Sequence, residues 1–335
     1  MSIDRRKIAE LRAREDKRFL DERPRSRKLL ARARASMPAG VPMAWMVSLY
    51  AHAPFFVQEA KGAYFTDVDG HRYLDMNLAD SSMACGYGLE AVGEAVLSQF
   101  RRGSQLLLPT EETIAVAEAL AARFGLPRWQ FTLAATSANG EAIRIARAFT
   151  GRDRVLVFDG KYHGMLEETS YEPGDGGLVP EVRGLAKDSG KATDIVAYND
   201  LAAAERVLER RETACVLVEA APTNVGGVLM PDAGFLEGLA ELARRTGSIL
   251  TIDEAHTHVC AYGGLKQAWN LDCDILVLGK AIAGGIPAGL YGLSEELASF
   301  VESVVEEGAR GYLPDLAVGG TLFGNPLQIA AIRAT

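Results

Sequence analysis

Two residues of opposite chemistry close two apolar, β-branched runs. The run SILTID ends in Asp253, and DILVLG ends in Gly279-Lys280, ahead of the small-residue stretch AIAGGIPAG. A lysine amine can attack a carbonyl carbon and carry a proton, and a carboxylate can hold a protonated ring nitrogen. A single acid and lysine so placed serve equally well as a structural ion pair. Two further features change that balance. In FTLAATSANGEAIRIARAF the residues Ala134-Ala135-Thr136-Ser137 run straight into a helical pattern, and a helix N-terminus offers free N–H groups and a positive dipole end to a phosphate. After the run RVLVFD stands Lys161-Tyr162-His163-Gly164, which puts an aromatic ring at the same rim. Taken singly, the first is an ordinary helix cap and the second ordinary packing.

Together the four features match the needs of pyridoxal 5'-phosphate (PLP). A lysine forms the Schiff base, and a carboxylate keeps the pyridine nitrogen protonated so that the ring withdraws electrons. An aromatic side chain covers one ring face, and a helix end receives the phosphate.

The elements that must position these residues follow from periodicity. Beyond residue 90, helical stretches such as GLEAVGEAVLSQFRRG, ETIAVAEALAARFG and FLEGLAELARRTG accompany the runs RVLVFD, DIVAYN, ACVLVEAA, GSILTIDEA and DILVLGKA. Continuous apolar strands separated by helices predict an α/β fold with a mainly parallel sheet covered by helices. Its ligand belongs beyond the carboxyl ends of the strands. Residues 3–36 read as one or two Arg-, Glu-, Leu- and Ala-rich helices that stop at Met37-Pro38-Ala39-Gly40. From Phe55 short strands follow, with a tight turn at Asp67–Gly70.

Composition narrows the class further. A chain of 335 residues has room for a large domain and a smaller one, and its 48% hydrophobic and 24% charged content sets disordered and fibrous proteins aside. A net charge of −8 argues against a general affinity for nucleic acid or an anionic membrane. The charged N-terminus has no apolar core of a secretory signal, and no apolar run spans a bilayer. Cys85, Cys215, Cys260 and Cys273 show no CxxC spacing, which suits a reducing compartment and places the protein in the cytoplasm. His256 and His258 have a metal-like spacing but no third ligand beside them, so no metal is expected and their reading is lining or packing. No GxGxxG follows a strand, which makes a nicotinamide or nucleotide binder a poor alternative.

From about Met37 to the last residue the text resembles the class III aminotransferases, most of all the glutamate-1-semialdehyde aminomutase branch. The matching segments are Pro38-Ala39-Gly40-Val41, GAYFTDVDGHRYLDM, LPTEE, AIRIARAFTGR, Tyr162-His163-Gly164, VLVEAAPTNVG, TIDEAH, LGKAIAGGIPAG and GGTLFGNPL. The resemblance implies the PLP-dependent transferase fold of type I. It makes Lys280 the Schiff-base lysine and proton shuttle, Asp253 the partner of the ring nitrogen, and Tyr162 the cover of the ring. It assigns the phosphate to Ala134, Ala135 and Thr136, puts Glu219 near the cofactor, and has Thr321 reach the phosphate of the other subunit of a homodimer. Ala134-Ala135 stands where the family reads Ser-Gly, so the phosphate is expected to lean on backbone N–H groups, Thr136 and the partner's Thr321. Where the aminomutase branch carries a carboxylate-binding arginine, this chain has Pro42, Met43, Ala44, Trp45 and Met46. Trp45, Met46 and Asp80 are the substrate candidates, and a more apolar amine than glutamate-1-semialdehyde is the expected substrate. The expected organisation is an N-terminal arm with part of a small domain over residues 1–60, a large PLP-binding domain over 61–320, and the start of a C-terminal segment over 321–335. The family continues past GNPL, so the smaller domain is expected to be incomplete. The implied activity is transfer of an amino group between an amine or amino acid and a keto acid or aldehyde. An intramolecular aminomutase or epimerase uses the same residues, and a non-catalytic chain of the same fold is a third reading.

Overall fold

The computed structural model describes residues 4–49, 52–308 and 316–335; the helical stretch expected over 3–36 begins one residue outside them. The chain forms two compact units, Met1–Ala79 with Gly86–Leu89, and Asp80–Cys85 with Glu90–Thr335.

In the first unit α1 (Arg5–Asp21) and α2 (Pro24–Ala33) precede an antiparallel sheet of β1 (Val57–Lys61), β2 (Tyr64–Asp67) and β3 (Arg72–Leu74). Asp4 caps α1 by accepting from the N–H of Arg6 and Lys7, and Pro24 opens α2 where a missing N–H costs nothing. The helices are tied to the sheet through Arg23. Its guanidinium lies 3.3 Å from the buried Asp67 carboxylate, donates to the Tyr73 hydroxyl at 2.9 Å, and covers the Phe19 ring at 3.8 Å. The turn expected at 67–70 joins β2 to β3, and Asp67 organises it by accepting from the His71 N–H at 2.8 Å.

The second unit runs α3 (Glu90–Arg102), α4 (Glu111–Phe124), β4 (Arg128–Thr132), α5 (Ala135–Thr150), β5 (Arg154–Phe158), β6 (Tyr171–Gly174) and β7 (Gly177–Pro180). It continues through β8 (Thr193–Val196), α6 (Leu201–Leu208), β9 (Thr213–Glu219), α7 (Phe235–Thr246), β10 (Ile249–Asp253) and α8 (Gly264–Ala268). It closes with β11 (Ile275–Leu278), β12 (Gly289–Leu293), α9 (Glu295–Gly308) and α10 (Pro326–Ala334). Among the described residues a seven-stranded sheet has the order β4-β12-β11-β10-β9-β5-β8. Strands β8, β5, β9, β10 and β11 are mutually parallel, and β12 is antiparallel to both β11 and β4. Strand β4 therefore points the same way as the parallel five.

Both faces of this sheet are covered, which is why the central strands β9, β10, β11 and β12 are buried at every position. Ile249, Val155, Cys215, Leu217, Ile275 and Tyr291 pack with the buried Ala138, Ala142, Ile145 and Ala146 of α5, and Phe149 meets Phe300 of α9 edge-on at 5.2 Å. On the opposite face Phe158 packs edge-on against Phe235 of α7 at 5.7 Å. By strand parity, Asp253 shares its face with Ile249 and so points toward α5. No helix among the described residues is long and apolar enough to cross a membrane.

Candidate active site

The sheet's carboxyl edge collects the chemistry. Strands β10 and β11 run in parallel with Asp253 opposite Val277, so the acid lies beside the turn that carries Lys280. On the other side Asp253 is in register with Glu219, the last residue of β9. Because β4 points the same way, its end delivers Ala134 and the start of α5 to this edge.

Asp253 is buried, yet it is equipped to stay ionised. Its Oδ2 accepts from Asn139 Nδ2 at 2.7 Å and lies 2.9 Å from His163 Nδ1, and its Oδ1 accepts from the Ala255 N–H at 2.9 Å. Burial alone would push this carboxyl up; the His163 bond and charge, with the Ala255 and Asn139 donors, turn the net shift downward. Two partners occupy Oδ2 and one occupies Oδ1, so Oδ1 keeps acceptor capacity for one more donor.

Neighbouring Glu219 has the opposite setting. It is raised, first by burial and also by the charge of Asp253, with His163 opposing. Its Oε1 accepts from the Tyr162 N–H at 3.0 Å and so fixes the segment that carries the aromatic. Tyr162 itself is half exposed, and its phenol is raised by burial and by the Asp80 charge.

The α5 N-terminus is bare. Ala134 is the extended residue before the helix, and no side chain caps it, as expected once alanine replaces serine. Two glycines let other strand ends close on it. A Cβ at Gly289 would collide with the Ala134 carbonyl and lie 2.7 Å from the Ala135 nitrogen, and one at Gly279 would lie 2.8 Å from the Ala135 Cβ. Gln328 of α10 is buried behind this corner and donates to the Thr132 carbonyl at 2.5 Å. An uncapped dipole end in a cradle that a methyl group would fill, next to an amine and an ionised acid with spare acceptor capacity, fits the phosphate, aldehyde and ring nitrogen of PLP.

Lys280 adopts a left-handed backbone (φ 48°), and its Nζ donates to Asp80 Oδ2 at 2.7 Å. The Asp80 carboxyl is held well below the usual range by His256, whose Nε2 lies 3.7 Å from Oδ1, against burial, and then by Lys280. The structure thus brings Lys280, Asp253, Glu219, Tyr162, Asp80 and the Ala134–Thr136 corner into one unit. Thr321 lies on an exposed loop whose carbonyl accepts from the Gln105 amide. Trp45 and Met46 occupy a short 3-10 turn in the first unit, with the Trp45 side chain exposed. Sequence reasoning passed over Asn139, whose only signal is a polar residue amid the small side chains of α5. It also assigned no task to His163 and none of a polar kind to His256.

Fold and site together define a PLP-dependent enzyme of the type I transferase fold. Comparison with known families then places it more narrowly: the Aminotransferase class-III model matches residues 47–335, and the chain belongs to that family. A glutamate-1-semialdehyde 2,1-aminomutase of Syntrophomonas wolfei subsp. wolfei is 34% identical over 321 residues, covering 93% of this chain and 72% of that protein. The crystal structure of a glutamate-1-semialdehyde aminomutase variant from Pseudomonas aeruginosa PAO1 in complex with PMP superposes with a TM-score of 0.91 at 40% identity, covering all of this chain and 74% of that one. An omega-transaminase from Sphaerobacter thermophilus gives a TM-score of 0.83 at 31% identity over 92% of this chain and 71% of its own. The protein is an enzyme with aminotransferase or aminomutase activity.

Proposed function

We propose that Lys280 is the residue that bonds to PLP and that the enzyme transfers an amino group from an amine to a keto acid or aldehyde. The observation that carries this is the placement of Lys280 and Asp253 at neighbouring ends of parallel strands, beside a bare helix N-terminus. When bound, PLP supplies an electron-poor ring that stabilises the charge left when a proton leaves the carbon bearing nitrogen. Lys280 Nζ takes that proton and returns it. Asp253 would hold the protonated ring nitrogen of the cofactor. Ala134, Ala135 and Thr136 would hold the phosphate through N–H groups and the Thr136 hydroxyl, while Glu219 fixes the Tyr162 segment, whose ring would cover the cofactor.

We place the enzyme in the cytoplasm as a homodimer in which Thr321 serves the partner's phosphate, with no nucleic acid or membrane as partner. The exposure of Thr321, and of Leu106, Leu107 and Leu108 beside its contact Gln105, supports that assembly. The sequence offers Trp45 and Met46 of the first unit, and Asp80 of the second, each as a candidate for substrate selection. With no arginine among residues 42–46, glutamate-1-semialdehyde should be turned over poorly. Product analysis with and without an added keto acid separates intermolecular transfer from an internal amino shift. The decisive test of the site is borohydride reduction of the cofactor-loaded protein followed by peptide mass spectrometry. The label is expected on Lys280 and absent, with turnover, from Lys280→Ala; a label on any other lysine would refute the assignment.

A further inference from the structure

Helix α10 buries one polar side chain completely. Gln328 lies among the buried Pro326, Ile329, Ala330 and Ile332, where an amide is tolerated only if its donors and its acceptor are met. Its Nε2 donates to the Thr132 carbonyl at 2.5 Å and reaches the Gly289 carbonyl at 3.5 Å, while its Oε1 accepts from the Gly324 N–H at 3.1 Å. Two carbonyls and one N–H leave the amide a single orientation.

Each partner leads to the phosphate corner or to the turn that carries Thr321. Thr132 and Gly289 face each other in register where β4 ends and β12 begins, and both touch Ala134. The Thr132 hydroxyl donates to the Ala134 carbonyl at 2.9 Å, and Gly289 lies so close that a Cβ there would collide with it. Gly324 follows the exposed residues Gly320, Thr321 and Leu322. The other end of that turn is tied to α5, the helix whose N-terminus forms the corner. Glu141 Oε1 accepts from the Gly319 N–H at 2.5 Å, and Arg144 donates to the Ala317 carbonyl. Convergent donors hold an anion well only when the packing behind them fixes their spacing to about 0.5 Å.

We propose that Gln328 is a positioning residue for the cofactor phosphate: one buried amide sets the Ala134–Thr136 corner through Thr132 and Gly289, and sets the turn that presents Thr321 through Gly324. It acts through these backbone groups rather than on the phosphate itself. The inference rests on the reading of that corner given above and deepens it.

The test measures, by absorbance titration of the full chain, the affinity for PLP and for pyridoxal, which lacks the phosphate. Gln328→Met keeps the length and the apolar packing and removes all three contacts. Gln328→Glu keeps the acceptor for Gly324 and, when ionised, loses both donors. In each variant PLP affinity should fall about tenfold while pyridoxal affinity changes by less than about twofold, so the ratio of the two drops. Thr136→Ala, which takes a hydroxyl from the corner itself, should lower the same ratio. An amide that merely packs would lower thermal stability, or weaken both ligands equally, and leave the ratio unmoved. That result beside a lowered ratio in Thr136→Ala would overturn the proposal alone. A ratio unmoved in all three variants would overturn the reading of the corner, and the proposal with it. Should Gln328→Met not fold, Gln328→Glu decides.

Discussion

Replacing Asn139 with alanine separates the work of Asp253 from its mere presence. Asn139 is fully buried and gives one bond to a charged acceptor, Asp253 Oδ2 at 2.7 Å, and one to a neutral acceptor, the His163 carbonyl at 3.1 Å. The charged bond contributes about 1.5–3 kcal/mol and the neutral one about 1 kcal/mol. Against this, Asn139 Oδ1 is itself buried without a partner, and its removal returns about 1–3 kcal/mol. A net destabilisation of about 1–2 kcal/mol is expected in urea unfolding of the cofactor-free protein. Cofactor affinity should fall as well. With one donor gone, Oδ2 competes with Oδ1 for the ring proton and the carboxyl moves back toward its ordinary range, so a loss of about tenfold in PLP affinity follows from ~1.4 kcal/mol. The pH dependence has a definite sign. A carboxyl lowered in the folded state stabilises the fold above its unfolded value, and that contribution disappears as pH falls through the folded value. The variant's deficit should therefore be full at neutral pH and close in acid. Unfolding and PLP titrations that match wild type at neutral pH would refute the view that Asn139 orients Asp253.

Gly289→Ala should lower the unfolding midpoint and weaken PLP binding together, because its Cβ runs into the Ala134 carbonyl, which is backbone and cannot turn aside; thermal scans with and without cofactor check it. Arg23→Ala should cost about 3–5 kcal/mol in denaturant unfolding, since it strips a buried carboxylate, Asp67, of its guanidinium partner. Burial lowers His258 to about 4, so the fold holds this contribution above the ordinary imidazole value and loses it as pH falls from about 6.5 toward 4. His258→Gln should flatten stability against pH across that window, and an unchanged slope would show that another group titrates there.

Much of the site was legible because its residues sit at the ends of long apolar runs. Strand periodicity alone placed Asp253 and Lys280 at one edge, since buried parallel strands are apolar throughout and the first charge marks where each leaves the sheet. The change from small residues to helical spacing at Ala134 likewise located α5. Strand β12 was not legible. Its text, GLYGL, opens on a glycine and follows a glycine-rich run, so it reads as loop; packing between β11 and β4 makes it a strand. That insertion brings the α5 N-terminus to the edge that carries Lys280. Equally hidden were Asn139 on Asp253, 114 positions away, and Asp80 on Lys280, 200 positions away. Periodicity reports which face of an element is buried and where the element ends. Which polar side chains then meet across that edge depends on the order and direction of the strands, and only the assembled sheet decides it.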